Sequence, residues 1–395
     1  DYVDYDGSIA QWNSQPNNIK DWYDTGVLTN TNVAISGGGE TNAFRLSLSS
    51  MSETGVNPRN DFAKNSMSMN GSQDLIKDKL TIGATIHYTR ALAENPVNGG
   101  ANSQWMHDGF PRSYDTNKWR NNYKDVDGGI PYPFGNSYNL TNYAKRWMDA
   151  YDDTNERVES SLISKIDIDL NIAKGVDLKR EANVNQYNIN STATNISNSA
   201  DRLNGSYSIG HSEKFQHSLS AKMFFDKEIN EDIQMDLVLG GEMWSTESEF
   251  SNSSTSGGLK IRDFYNISNS KNAASASGGI GAVKKINSLY AFYNVSYKRD
   301  LYLSITARND WSSALVYPDG HGTKSYFYPS ASLGWVTSET FELPQFISFA
   351  KLRASYAIVG NDTDPYKLST GFVVDRFNAQ PDLNMFRYEN GQAVS

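Results

Sequence analysis

Short segments of alternating apolar and polar residues recur along the whole chain, and they constrain its fold more than any other feature. In the segment 80–89 the even positions are apolar or aromatic, whereas the odd positions are Thr, Gly or His. Because side chains of a strand point alternately to opposite faces, this segment has one apolar face and one polar face. Comparable segments lie at 33–35, 44–48, 162–170, 219–225, 233–239, 289–295, 301–307, 327–335 and 352–358. The chain is therefore predicted to be all-β.

The connections between these segments alternate between short and long. Weaker strands at 67–69 and 176–184 bring the predicted count to about twelve, and 366–374 gives a thirteenth. The short connections are 37–40, 73–79, 171–175, 227–232, 298–300 and 338–345. The long connections are 52–61, 91–155, 190–204, 245–285, 310–324 and 360–365. This asymmetry is typical of an antiparallel transmembrane β-barrel, which has short periplasmic turns and long extracellular loops.

Composition narrows the class of protein. The chain has no Cys, 12% aromatic residues and a formal net charge of −9, and its mean hydropathy is −0.59. No segment approaches the roughly 20 consecutive apolar residues of a spanning helix, so a membrane would be crossed by strands. No stripe of Lys and Arg could neutralise a phosphate backbone, so no nucleic-acid partner is predicted. Disulfides and thiolate metal sites are excluded.

The two ends of the sequence indicate a segment of a longer chain. Asp1 is not preceded by an initiator Met or an apolar signal region, and residues 390–395 form a polar stretch. An envelope protein needs a secretory signal, which we expect upstream. A barrel cannot end at an open strand edge in lipid, so further strands are expected as well.

Three blocks of the sequence resemble one known family in order and spacing. The first comprises Asp21–Gly26 and Asn32–Leu48, and is similar to the first barrel hairpin after the plug. The others, Leu301–Ser313 followed by Tyr326–Trp335 and Lys351–Asn361, resemble the mid-barrel signature. The family is that of the SusC-like TonB-dependent transporters of Bacteroidetes.

The resemblance implies an architecture and a location. By this resemblance, the full-length protein would form a 22-stranded outer-membrane barrel that is closed by an N-terminal plug. Residues 1–30 would connect the plug to the barrel, and 31–395 would form part of the barrel, with long extracellular loops at 91–155 and 245–285. The chain would then be a multi-pass β-barrel segment in the bacterial outer membrane, in contact with its lipid.

The resemblance also implies a function and partners. A SusD-like surface lipoprotein would cover the barrel as a lid, and TonB would act through the plug. The family imports oligosaccharides, and some members import peptides, so the substrate class stays open. No enzyme activity and no cofactor are implied.

One charged residue departs from the barrel pattern. Arg180 has the same parity as Val176, Leu178, Ala182 and Val184, which are apolar. An Arg that faces lipid at the midplane costs about 2–4 kcal/mol. We therefore expect either a register shift in this strand or an interfacial position for Arg180.

Enzyme and metal signatures are missing from the sequence. The five His residues do not form an H-E-x-x-H motif, and there is no G-x-S-x-G motif or P-loop. His211 and His217 are interpreted as polar strand residues, and Asp125–Gly129 is interpreted as a turn because it lacks the later Glu of a calcium loop. No metal site is predicted.

The long 91–155 connection carries the candidate functional residues. Exposed aromatic rings among Asn, Asp and Arg can stack against a sugar or peptide, and loops of this length often have a function. The candidates for contact with the ligand or the lid are Trp105, Phe110, Tyr114, Trp119, Tyr132 and Trp147. Alternatively, these rings pack the loop onto itself and onto a partner protein. The Ser/Asn/Gly-rich run at 251–258, in the 245–285 connection, is predicted to be a mobile lip.

Two other classes of protein share some of these features. A surface glycan-binding protein or adhesin without transport would have similar Asn/Ser/Tyr-rich loops, but it would need no lipid-facing band about 25 Å tall. A secreted glycoside hydrolase would need two carboxylates about 5–9.5 Å apart on facing strands. Asp167 and Asp169 share a strand face, but we interpret them as residues of the barrel lumen.

Overall fold

Twelve main strands contain 195 of the 395 residues of the chain. The computed structural model describes residues 1–3, 9–96, 112–124, 147–196, 204–317, 320–344, 346–368, 372–376 and 384–388. The first six strands are β1 (Val27–Gly38), β2 (Asn42–Thr54), β3 (Asp61–Ile76), β4 (Leu80–Glu94), β5 (Thr154–Ala173) and β6 (Val176–Asn195). The other six are β7 (Ser206–Asn230), β8 (Ile233–Ser254), β9 (Ser275–Tyr297), β10 (Leu301–Ser312), β11 (Ser325–Trp335) and β12 (Leu352–Ala357).

These strands form a single antiparallel sheet whose order follows the chain. Each strand pairs only with its neighbours in sequence, from β1 at one edge to β12 at the other. Consecutive antiparallel pairing of this kind is the topology of an outer-membrane barrel. The prediction of an all-β antiparallel barrel segment is therefore confirmed.

Short turns join the strands at one end of the sheet. Residues 39–41, 77–79, 174–175, 231–232 and 298–300 form these turns. Gly175 has a φ of 74°, and a Cβ on it would lie 2.1 Å from the carbonyl oxygen of Asp226. Glycine is therefore required at this turn for both backbone conformation and space. The connection from β11 to β12, residues 336–351, is longer and contains the short helix Thr337–Thr340.

The strands extend further at the other end than the sequence predicted. The predicted 245–285 loop is reduced to residues 255–274, because β8 continues to Ser254 and β9 begins at Ser275. Ser251–Ser254, part of the predicted mobile lip, pair with β7 and β9. Backbone hydrogen bonds do not require apolar side chains, so pairing persists where the alternation stops. A strand needs roughly 10 residues to span a membrane. β8 and β9 have 22 and 23 residues, so their polar ends would project beyond it.

The thirteenth predicted strand is not part of the main sheet. Tyr366 has a φ of 63°, in the left-handed region that breaks a strand. Residues 372–376 pair instead with 384–388 in a separate two-stranded sheet. The prediction of one strand over 366–374 was therefore wrong at its start.

The register of the sheet places the alternating apolar residues on one face, called here the apolar face. Cross-strand partners on this face include Ile35 with Leu46 and Leu219 with Met243. Ile35, Leu219 and Met243 are each more than half exposed. An apolar face of this extent suits hydrocarbon and not water. The opposite face, called the polar face, carries charged and hydroxyl side chains.

The helices of the structure are short. The helix α1 spans Thr116–Asn121 in the long connection between β4 and β5. Its N-cap, Asp115, accepts a hydrogen bond from the backbone N–H of Lys118. In the part of the chain that is described, no helix has the length and apolar character needed to cross a membrane.

Arg180 keeps the register of its strand. It pairs with Ile168 of β5 and Ala221 of β7, and the irregularity between β5 and β6 lies elsewhere, between Asn171 and Ala173. The expected register shift is therefore wrong, and Arg180 lies on the apolar face.

The two faces predict opposite accessibility for neighbouring positions. A spin label at Ile86 should be quenched by a lipid-soluble reagent, and a label at Thr85 should be quenched by a water-soluble one. The physical reason is that β4 points these side chains to opposite faces of the sheet. Labelling of Thr81 and Ile82 provides a second pair on the same strand. Equal quenching within both pairs would contradict the membrane-spanning assignment.

Candidate functional site on the polar face and at the loop end

A chain of ion pairs crosses the middle of the polar face. Glu181 of β6 accepts hydrogen bonds from both sides: Lys165 Nζ of β5 lies 3.0 Å from Oε1, and Lys222 Nζ of β7 lies 2.8 Å from Oε2. Lys165 also lies 3.5 Å from Asp167. These groups belong to three adjacent strands, so the register of the sheet brings them together.

Arg308 is the centre of a second polar cluster on this face. Its Nε donates to Asp310 Oδ1 at 2.8 Å, and its Nη2 donates to Ser288 Oγ at 2.9 Å. The guanidinium also lies 5.4 Å from the ring centroid of Tyr290, which is a cation–π distance. Tyr290 lies over Gly240, where a Cβ would be 2.2 Å from the ring. The cluster offers charged and aromatic groups to a polar ligand.

Asp362 joins the segment after β12 to the neighbouring strands. Lys284 Nζ lies 2.7 Å from its Oδ1, and Ser312 Oγ donates to its Oδ2 at 2.6 Å. The side chains of Lys284 and Asp362 are only 15% and 9% exposed. A largely buried pair of this kind is screened less by salt than a surface pair. It fixes the 358–365 segment above the polar face.

An aromatic cluster lies at the loop end of the sheet. Trp147 is fully buried, and its Nε1 donates to the hydroxyl oxygen of Tyr114 at 2.9 Å. The Trp147 ring centroid lies 4.2 Å from that of Trp22. Trp119, on α1, completes the buried set. We call Trp22, Tyr114, Trp119 and Trp147 the loop cluster.

Hydrogen bonds attach the segment before β1 to the long β4–β5 connection. Thr116 Oγ1 donates to the Asn18 carbonyl at 2.6 Å, and Arg120 Nη2 donates to the carbonyls of Asp21 at 2.8 Å and Trp22 at 3.1 Å. The guanidinium of Arg120 also pairs with Asp24. The segment 15–24 is thus held at the loop end of the sheet.

Burial changes the acidity of a tyrosine beside the loop cluster. Burial raises the pKa of the Tyr123 hydroxyl well above its usual value, and the negative charge of Asp152 raises it further. Lys124 forms an ion pair with the same carboxylate. Tyr123 is therefore a neutral hydrogen-bonding group at any physiological pH.

The structure brings together three of the six predicted contact residues. Tyr114, Trp119 and Trp147 are buried in the loop cluster, in agreement with the alternative in which the loop packs onto itself. Trp105, Phe110 and Tyr132 lie outside the described residues. Contact of any of the six with a ligand or lid stays a prediction.

Sequence reasoning missed Trp22 as a member of this cluster. The residue lies in the Asp21–Gly26 block, and its partners follow about a hundred residues later in the chain. An aromatic pair, Trp22 and Tyr23, immediately before the first strand was the only available signal. Pairing across such a distance is decided by the arrangement of the sheet.

A group of possible metal ligands lies on the same side of the sheet as the apolar face, on the parts of β7 and β8 nearer the long loops. His211, Glu213 and Glu249 present ligand atoms within 4.8 Å of one another. His211 Nδ1 lies 2.9 Å from Asn190 Oδ1. One imidazole and two carboxylates are ligand types found in zinc sites. The sequence did not indicate this grouping because Glu249 belongs to the next strand.

The carboxylates considered for glycoside hydrolysis have other partners. Asp167 lies 3.5 Å from Lys165 Nζ, and Asp169 lies 3.4 Å from Lys179 Nζ. Both are part of the ion-pair pattern of the polar face. Their placement agrees with the lumen interpretation.

Comparisons with known proteins give consistent results. No protein-family model matches the chain. The chain is 25% identical over 354 residues to TonB-dependent receptor P39 of Formosa agariphila. This match covers 85% of this chain and 31% of that receptor. It is also similar to a structure of the RagAB peptide transporter, with a TM-score of 0.71 at 16% identity over 96% of this chain and 42% of that one. The RagAB peptide importer in its 'open-open' state gives a TM-score of 0.72 at 17% identity, covering 94% and 40%.

The chain spans less than half the length of each of these proteins. The structural similarity shows the fold, that of an outer-membrane transporter barrel. The resemblance to SusC-like TonB-dependent transporters and the outer-membrane location predicted from the sequence are thereby confirmed.

Proposed function

We propose that this chain, whose fold is that of a SusC-like TonB-dependent transporter barrel, imports oligosaccharide or peptide nutrients across the bacterial outer membrane. The observation that carries the proposal is the twelve-stranded antiparallel sheet with an exposed apolar face and a charged polar face. Such a sheet suits lipid on one side and a hydrated passage on the other. We propose further that it acts as the barrel component of a SusCD-like complex.

The proposed energy source is TonB, acting through a plug. The sequence contains no P-loop that could bind a nucleotide for transport. Coupling through a plug would let the proton gradient of the inner membrane drive release of the substrate. The division into a plug connection over 1–30 and a barrel over 31–395 stays a prediction.

Peptide is the substrate class to test first. RagAB, to which the chain is similar, is named a peptide transporter. The polar face presents Arg308 beside Glu242 and Asp310, so charges of both signs are fixed within one cluster. Charged termini and side chains of a peptide can pair with such groups, whereas a neutral oligosaccharide can only accept and donate hydrogen bonds. Uptake of labelled peptides and of labelled oligosaccharides by cells with and without the gene would separate the two classes.

The proposed lid is a SusD-like surface lipoprotein that docks at the loop end. The described parts of the β4–β5 connection that lie there, 112–124 and 147–153, are anchored to the segment 15–24 by the loop cluster. We propose that the connection offers a surface to this partner.

Lid binding is expected to depend on the central part of this connection. Tyr123 and Trp147 have ring centroids 6.4 Å apart, so a short Gly/Ser linker can replace residues 125–146 without separating the loop cluster. We expect this variant to insert into the membrane normally but to retain much less lipoprotein in a pull-down. The expected cause is the loss of loop surface and not of the sheet.

The matched control replaces residues 197–203 of another long connection with the same linker. This control should keep lid binding. Normal lipoprotein recovery with the 125–146 variant, together with normal nutrient uptake, would contradict a role for this loop.

The alternative function is a surface glycan-binding protein or adhesin without transport. It would bind ligand at the cell surface and accumulate none, with or without an energised membrane. The exposed apolar face argues against it, since an adhesin needs no lipid-facing band.

A further inference from the structure

Arg180 lies among apolar side chains on the face of the sheet that meets lipid. Its side chain is exposed, and its strand continues in register on both sides. Its cross-strand, diagonal and same-strand neighbours on this face are all apolar: Ile166, Ile168, Leu170, Leu178, Ala182, Leu219, Ala221 and Met223. In a membrane, a guanidinium in such surroundings would lose water without gaining a protein partner.

The contrast with the cations of the polar face is clear. Lys165, Lys222 and Arg308 each contact a carboxylate. Within the described part of the chain, Arg180 makes no hydrogen bond and no ion pair. A buried or lipid-facing Arg is normally paired, so its partner must come from outside this part of the chain.

A groove of about 520 Å³ starts at Arg180 on β6, crosses β7, β8 and β9, and ends at Trp311 on β10. Ala221 and Gly241, which are cross-strand partners, keep it open because neither has a side chain beyond Cβ. The apolar residues that border it are Leu219, Met243, Leu289 and Trp311. From Arg180 on β6 to Trp311 on β10 the groove spans four strand spacings of about 4.8 Å, or roughly 19 Å, which suits a hydrocarbon chain.

The groove is also polarised along the membrane normal. Arg180 follows the Gly175 turn by five residues, whereas Trp311 follows the last residue of its own short turn, Asp300, by eleven. The cationic end is therefore the end nearer the short turns. These turns face the periplasm in an outer-membrane barrel. A lipid of the periplasmic leaflet has this orientation, with its headgroup below and its acyl chain above.

We propose that Arg180 and this groove bind one phospholipid of the periplasmic leaflet. The guanidinium donates two hydrogen bonds to the phosphate, and one acyl chain lies over Ala221 and Gly241. Arg matches phosphate with its planar fork of donors, and the low dielectric of the membrane strengthens the contact. The long side chain of Arg180 directs its charge toward the headgroups.

This site requires that the chain span a membrane, but it does not require any particular substrate. Failure of the uptake proposal would therefore leave it standing, and its own failure would leave uptake standing.

The test is native mass spectrometry of the full-length protein extracted in mild detergent. The wild type should retain one phospholipid, and R180Q should lower its occupancy about tenfold because a charge-assisted contact is lost. R180K should retain an intermediate amount, since Lys offers a point charge in place of a fork. A221L keeps the charge but fills the groove, and it should lower occupancy as R180Q does.

The matched control is K285Q, which removes an exposed cation from the same side of the sheet, above the apolar residues of β9. It should leave phospholipid occupancy unchanged. Heat-dependent mobility on a gel verifies that every variant is folded.

Three outcomes would overturn the proposal. The first is equal occupancy in the wild type and R180Q, or no retained phospholipid in the wild type. The second is retention of lipid A, which would place the anion in the outer leaflet. The third is capture of a second protein chain that R180Q releases, which would identify a protein carboxylate as the partner.

Discussion

If the proposed function is right, cells without TonB are expected to bind the nutrient at their surface but to accumulate no more of it than cells without this protein. The expected reason is that, in the proposed mechanism, the energy for uptake reaches the barrel from TonB through the plug. Its polar face carries ion pairs such as Lys165–Glu181–Lys222, to which charged groups of a ligand can bind. The measurement is the intracellular amount of a labelled peptide over time, in the two strains and the wild type.

A protonophore supplies the control for this prediction. It should reduce accumulation in the wild type to the level of the strain without TonB, while surface binding stays unchanged. Accumulation that continues without TonB, or after the proton gradient collapses, would show that the barrel is a passive pore. Binding without accumulation in every strain, including the wild type, would support the adhesin alternative.

Replacement of Trp147 by Ala is expected to release the long β4–β5 connection from the segment before β1. Trp147 is fully buried and contacts both Trp22 and Tyr114. Truncation of a buried Trp typically costs about 3–5 kcal/mol. Because the cluster belongs to the loops, this free energy should be lost from the docking of the loops and not from the unfolding of the sheet.

Hydrogen exchange of the folded protein measures this effect. Amides of 15–24 and 112–124 should exchange much faster in W147A, whereas those of β5 to β9 should be unchanged. Trp12, which is 63% exposed in the same N-terminal segment, provides the matched control W12A, with no expected change. The variant Y114F keeps the ring but removes the hydroxyl that accepts from Trp147 Nε1, and it should have a smaller effect of about 1–3 kcal/mol. Unchanged protection in W147A would mean that the loop cluster does not hold the two segments together.

The loop cluster also bears on the lid. W147A keeps every residue of the 125–146 segment, but it should weaken the packing of the loop cluster, which holds the residues on either side of that segment. A parallel loss of lipoprotein binding in W147A and in the linker variant would indicate that the lid recognises an ordered loop. Loss of lipoprotein binding in the linker variant alone would indicate that the proposed lid contacts the 125–146 segment directly.

The alternation of apolar and polar residues determined the fold class and the faces of most strands. A period of two is a local property, because each peptide unit turns its side chain to the opposite face of the strand. Segments such as 80–89 and 219–225 were therefore assigned correctly without knowledge of their partners. The short turns were recognisable for the same reason, since their length and residue types depend on a few neighbouring residues.

Three features were decided only by the tertiary structure. The ends of β8 and β9 continue as strands through polar residues to Ser254 and from Ser275, because backbone pairing with a neighbouring strand replaces the missing apolar pattern. Trp22 meets Trp147, and Arg180 meets only apolar side chains, because the order and register of twelve strands set which distant residues are neighbours. The sequence by itself determined which side of a strand each residue occupies. Which residue lies across from it depends on pairing between segments far apart in the chain, and only the assembled sheet fixes that pairing.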